Sequence, residues 1–279
     1  MNQTLNKLYN IQFGFQTNLF PYIEQELGHL SNLQQKFIKV LEVSQIDSHV
    51  PYVGIRNCRP TKSRMALVRA FIAKAVYNMP TTQILIDRLK SDLSLRRLCG
   101  YEKLNQVPSQ STFSRAFDEF STMQIAERAH ESIIKEYLSH QLIGHISRDS
   151  TAIKAREKSL KKPTKEQLAV KKRGRPKKGE QRVKEHSKSL GHVPIIDTRP
   201  KRGQKTAVEN ELKAKRNVNY KTSQMLRYNQ RSSVERLNGR LKDEFNGRMV
   251  RVKGHAKVMS HLMFGIIALT VDQLMKFLE

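Results

Sequence analysis

The sequence predicts an α+β chain that is mostly helical. Three observations carry this. Runs of strong helix formers separated by Pro/Ser/Thr turns fill roughly residues 1–140. Two short β-type segments each end on an aspartate, Leu142 to Asp149 and His192 to Asp197. Helical periodicity then returns and holds nearly to the C-terminus.

Met65 to Tyr77 is rich in Ala, Leu, Ile and Val and stops before Asn78-Met79-Pro80, so it predicts a helix. Pro80-Thr81-Thr82 starts a second helix, with apolar positions at Ile84, Leu85, Leu89 and, past Asp92, Leu93. Pro108 to Thr112 starts a third, whose aromatic face is Phe113, Phe117 and Phe120, with Arg115 directed elsewhere. Short helices joined this way suit either a helix-turn-helix that enters a DNA groove or a plain helical bundle. From Lys154 to Lys188 there are 15 Lys/Arg against four acids, few large apolar residues and no period of 2 or 3.6. That composition predicts a solvated basic linker. A helix is expected from about Thr222 to Phe245, and a final apolar helix from about Ala256 to Leu278. The most apolar tract, Leu262 to Leu269, is too short to span a bilayer and predicts a buried helix. The expected division is a helical region at 1–140 and a second domain at 141–279 that contains the linker 154–188.

Composition narrows the function. The 51 Lys/Arg and 25 Asp/Glu give a formal charge of +26 at pH 7. A charge of that size repels itself and calls for a polyanionic partner, with nucleic acid first. Cys58 and Cys99 supply neither a disulfide framework nor a paired-cysteine zinc site, and they fit a reducing cytosol. The first 15 residues lack the basic-then-apolar pattern of a signal peptide. No Walker loop or GxGxxG motif is present, which argues against a nucleotide-phosphate cradle. The nine histidines have no metal-ligand spacing, so His255 and His261 are expected to pack or to touch phosphate. Lys171 to Lys178, KKRGRPKK, resembles an AT-hook, with Arg173 and Arg175 entering an A·T minor groove. An unstructured basic linker accounts for the same residues. Arg248, Arg251, Lys253 and Lys257 form a further basic run that suits either a DNA flank or a solvated surface.

The constellation with the most chemical content is Tyr228, Arg231, Glu235 and Lys242. On a helix these four fall within roughly 60° of one another, beside an apolar stripe of Val234, Leu237, Leu241 and Phe245. A carboxylate between two cations at a core border suits phosphate handling: the acid binds a divalent metal while the cations and the phenol hold phosphate oxygens. A salt-bridged amphipathic helix fits the same spacing.

These four residues, with Arg231 to Phe245 around them, resemble the YREK signature of DDE transposases from bacterial insertion sequences. Ile146 to Thr151, Gly191 to Asp197 and Gly254 to Phe264 are similar to other pieces of the same proteins. The resemblance implies a ribonuclease-H-like catalytic domain and metal-dependent cleavage and transfer of DNA strands at element ends. It assigns Asp149 and Glu235 as catalytic metal ligands. It assigns Tyr228, Arg231 and Lys242 to the terminal phosphates. The implied cofactor is Mg²⁺ (or Mn²⁺), two ions about 4 Å apart. The implied partner is double-stranded DNA, bound by a homodimer, with no membrane; the implied location is the cytoplasm of a bacterium, at the nucleoid. One departure stands out. The second catalytic Asp should fall between Asp149 and the His192 segment, yet no Asp occurs there, and Asp197 is a weak substitute. The missing strands and helix need about 50 residues. The expectation is a domain shortened by an internal deletion near His186-Ser187, and a copy that is inactive or cuts poorly. The alternative is a non-catalytic, sequence-specific DNA-binding remnant that occupies transposon ends.

Overall fold

The computed structural model describes residues 3–51, 62–139, 153–155, 209–212 and 231–277. The chain divides into two compact units. One comprises residues 1–144, 150–157 and 236–279, the other 145–149 and 158–235. Of the second unit, the described residues are 209–212 and the start of one helix.

The first unit is helical. The helix α1 (Gln3–Gly14) runs through a short π-helical stretch, Phe15–Leu19, into α2 (Phe20–Leu27). Then come α3 (Asn32–Ser44), α4 (Arg64–Val76), α5 (Thr82–Ser91) and α6 (Leu93–Leu98). They are followed by α7 (Gln110–Thr122) and α8 (Ile125–Leu138). Near the C-terminus lie α9 (Arg231–Glu244), which crosses into this unit at Arg236, and α10 (His255–Lys276). Side-chain oxygens start several of these helices by accepting orphan backbone N–H groups. Ser31 accepts from Gln34, Ser63 from Ala66, Thr81 from Ile84 and Asp92 from Leu95. At Ser31 the Gln34 side chain answers the cap, completing a capping box.

The helices expected from residues 65, 80 and 108 are α4, α5 and α7, and Phe113, Phe117 and Phe120 are all buried. Ile84 and Leu93 lie outside the predicted apolar face, exposed to 45% and 47%. Asp92 explains the second case: it caps a new helix, so the stripe of α5 does not run on through Leu93. Ile84 sits one position, about 100°, away from Leu85 and is turned outward. The final apolar segment is the buried helix anticipated. It packs against α3, α4, α7 and α8, and Phe264, Ile267 and Ala268 are inside. It is the described helix long and apolar enough to cross a membrane. Within this unit it forms the centre of the core.

That core holds a cluster of rings. Phe71 of α4 meets Phe113, Phe117 and Phe120 of α7 and Phe264 of α10, with ring centroids 5.0–6.1 Å apart. Among the described residues the sheet is one parallel pair, β1 (Lys154–Ala155) with β2 (Met249–Val250). The β1 residues open the stretch expected to be a linker. The segments around Asp149 and Asp197 lie outside the described residues.

Candidate functional site

The helix expected to carry the phosphate-handling residues is present as α9. Glu235 is exposed and Lys242 half-buried. Arg231 is the first residue of the helix. Tyr228, Asp149, Asp197, Arg173 and Arg175 lie outside the described residues. The apolar stripe is graded: Leu241 and Phe245 are buried, Val234 is half-buried, and Leu237 is 37% exposed. The C-terminal half of α9 is therefore the part anchored in the core. Among the described residues no three His, Cys, Asp or Glu side chains group as a metal site, and of the expected carboxylates Glu235 alone lies among those residues.

The anchor is built from backbone geometry and two asparagines. Asn246 ends α9 in the left-handed region, at φ 63°, and Gly247 N–H returns to Leu241 O at 2.9 Å. A Cβ at position 247 would lie 2.8 Å from that oxygen, so glycine is required. Asn78, also left-handed at φ 51°, follows α4. Its Nδ2 donates to Asp243 O at 2.6 Å, while its Oδ1 accepts from Asn246 N at 2.9 Å. Asn246 Nδ2 in turn donates to Met79 O at 2.6 Å. These bonds cap the end of α9 with the α4–α5 turn, satisfying groups that burial would otherwise strand. Gly265 of α10 passes so close that a Cβ there would come 2.7 Å from Phe245 O.

Charge pairs fix the same end. Asp272 of α10 receives Lys36 at 2.9 Å and Arg240 at 2.6 Å. Burial pushes its carboxyl pKa up, but the hydrogen bonds from Arg240 and Lys36 outweigh that and hold it below the usual value. Arg240 also forks onto Glu244, which raises its own pKa. The Lys36 ammonium lies 4.5 Å from the centre of the Phe245 ring.

Beside this anchor is a small hollow lined by Phe71, Lys74, Ala75, Phe117, Asn246, His261 and Phe264. His261 Nε2 donates to Asn246 O at 2.9 Å. Burial, with Lys74 adding to it, lowers the His261 pKa to about 4, so the ring is neutral at pH 7. His261 is thus a packing residue, while His255 is exposed. Burial also lowers the Lys74 pKa to about 8, and Arg251 pushes in the same direction. Asn78, Asn246 and Lys74 do not follow from the spacing of the candidate residues. For Lys74 a signal existed: it is a cation inside the apolar run Phe71-Ile-Ala-Lys-Ala-Val76.

The basic run after α9 divides. Arg248 pairs with Asp243, and Lys257 pairs with Asp118 at 2.9 Å. Arg251 and Lys253 are exposed. On α7, Ser111, Ser114 and Arg115 form an outward polar face opposite the buried rings, and α7 packs on α5.

Residues 22–119, about a third of the chain, match the family model described as Transposase domain (DUF772). The helical segment from α2 through most of α7 is therefore similar to a transposase domain. No curated protein and no solved structure matches the chain.

Proposed function

We propose that this chain is a DNA transposase of the DDE, YREK-signature type, in which the helical unit grips DNA and the residues around Asp149 and Glu235 cut it. The carrying observation is the likeness of residues 22–119 to a transposase domain in a chain of charge +26. Glu235 supports the catalytic half of the reading, because it stands exposed on a helix whose other end is locked into that same helical unit. On this reading Asp149 and Glu235 hold Mg²⁺ (or Mn²⁺), Asp197 stands in for the second aspartate, and Tyr228, Arg231 and Lys242 grip terminal phosphates. The metal, when bound, neutralises charge developing on the scissile phosphate. The side chains position the DNA end, and positioning is most of what phosphoryl transfer asks of a protein. Arg115 on α7 and the Arg173/Arg175 stretch supply groove and backbone contacts. The protein works as a homodimer pairing two element ends, in the bacterial cytoplasm at the nucleoid.

A second reading is favoured by one observation: no Asp lies between Asp149 and Asp197. The copy would then be an internally deleted remnant that occupies transposon ends without cutting them. Duplexes carrying the element's terminal repeats separate the two. Catalysis predicts Mg²⁺-dependent nicking that Glu235→Ala and Asp149→Ala abolish while binding stays unchanged. If the unmutated protein binds but never nicks, the remnant reading holds.

A further inference from the structure

Charged residues make up 27% of this chain, yet Lys7 is the only one among the first 23 positions, where that share would give about six. A run so poor in charge suits a buried segment, but this one is not buried. Helix α1, the π-helical stretch and α2 follow one another with helical backbone at both junctions, and one side of them faces the core. Leu8, Phe15 and Phe20 are inside. Asn6, Tyr9, Asn10, Phe13 and Thr17 recur at intervals of three and four, which places them on one face of the helix, and all are exposed. Tyr9, Phe13 and, on α2, Tyr22 are 58–66% exposed. Exposed rings set among amides, with charge left out, are the composition of the centre of a protein–protein interface. A single lysine gives a DNA backbone little to hold there. Three rings at that exposure present about 300–450 Å², near half of the ~800 Å² that each partner of a standard interface buries. The amides and the hydroxyl around them add to that area.

What covers this face follows from charge. A formal charge of +26 makes two copies of the chain repel each other. A two-fold contact sets each surface patch against its own duplicate, so a basic patch would meet a basic patch. The α1 face meets its duplicate with almost no charge. Asn6 and Asn10 each bring a donor and an acceptor, so the face is complementary to itself.

We infer that the α1 face carrying Tyr9 and Phe13 is where a second copy of this chain docks, in a two-fold contact centred on those rings. The inference rests on the homodimer of the reading above and gives it a surface; DNA chemistry plays no part in it.

The test is the mass of the full chain in solution without DNA. In sedimentation equilibrium at about 0.1 M and about 0.5 M NaCl a dimer is expected, tighter at the higher salt, because screening removes the repulsion between two basic copies. DNA binding depends on salt in the opposite sense, so carried-over nucleic acid cannot imitate this result. Phe13→Lys puts like charges on both sides of the contact and should weaken dimerisation by about tenfold or more. Asn10→Lys, also exposed on this face, repeats the test if Phe13→Lys does not fold. Met65→Lys, at an exposed apolar residue of α4, should leave the dimer intact. A dimer that Phe13→Lys and Asn10→Lys leave unchanged, or that Met65→Lys weakens as much, overturns the face and leaves the homodimer standing. A wild type that stays a monomer at both salts overturns face and homodimer together, with a different protein as the occupant. A chain that dimerises through Phe13 but binds no duplex DNA overturns the DNA reading and leaves the face in place.

Discussion

His261, buried, and Lys74, half-buried, line the same hollow, and their pKa values both move down, so their effects on stability run in definite directions. The unfolded chain protonates its histidine near pH 6.5, whereas folded His261 holds out to about 4. Stability tied to the neutral ring is complete above pH 6.5 and is lost as the pH falls toward 4, by roughly 3 kcal/mol. Lys74, shifted from 10.5 to about 8, acts in the same sense on the alkaline side of neutral: its ammonium costs stability below pH 8, and the cost is relieved as the pH rises toward 10.5. Denaturant melts of the wild type and of His261→Gln from pH 7 to 4 check the first effect. The wild-type loss should flatten in the variant, and parallel curves would count against the account. Asn246→Ala removes the donor to Met79 O and the side chain suited to a left-handed turn, so it should cost about 1–3 kcal/mol in the same melts. The asparagine contacts were not legible in the sequence. Asn78 and Asn246 are 168 residues apart, and no local period links two amides that meet only after folding.

Elements were legible where one stripe decided the outcome. The spacing of Phe113, Phe117 and Phe120 gave the buried face of α7, and the unbroken apolar character of α10 gave its central place. Where a cap cut a stripe, at Asp92, pattern alone overran the boundary. Helix α9 is the informative mixed case. Its apolar stripe holds at Leu241 and Phe245 and fades toward Leu237, because periodicity shows which face is apolar but not how far along the helix a partner reaches. What fixes its end is close approach and charge. Gly265→Ala would place a methyl 2.7 Å from Phe245 O, and backbone must shift to relieve it. A loss of about 1–3 kcal/mol in thermal denaturation is expected, and wild-type stability would show that the two helices separate freely. Asp272→Asn leaves Lys36 and Arg240 facing each other without their shared carboxylate. About 1–2 kcal/mol should be lost at pH 7, and the difference from wild type should narrow only as the pH falls below the ordinary carboxylate range and through the depressed pKa of Asp272.

At the scale of the whole chain, charge is divided unevenly, and this division was visible in the sequence before any fold was considered. Residues 1–51 contain Lys7, Lys36 and Lys39 against Glu24, Glu26, Glu42 and Asp47, so the entire surplus of +26 is carried by the residues that follow. Within the helical unit much of that surplus is tied up. Arg64, Arg69, Arg240, Arg248 and Lys257 are all matched to acids. Excess positive charge is densest between Lys154 and Lys188, with a smaller share at Arg251, Lys253 and Lys74. Counterion release makes the strength of DNA binding follow unmatched cations and not total charge. The affinity of the full chain for duplex DNA should therefore fall steeply between low and physiological salt. Arg173→Ala with Arg175→Ala should flatten that dependence by nearly two units of slope, about 0.9 for each phosphate no longer neutralised. Arg64→Ala, which removes a cation already matched to Glu119, should leave the slope unchanged even though it costs stability. Equal slopes for the double variant and the wild type would remove the basic stretch from the interface. DNA binding would then rest on the helical unit, where Arg251 and Lys253 are exposed.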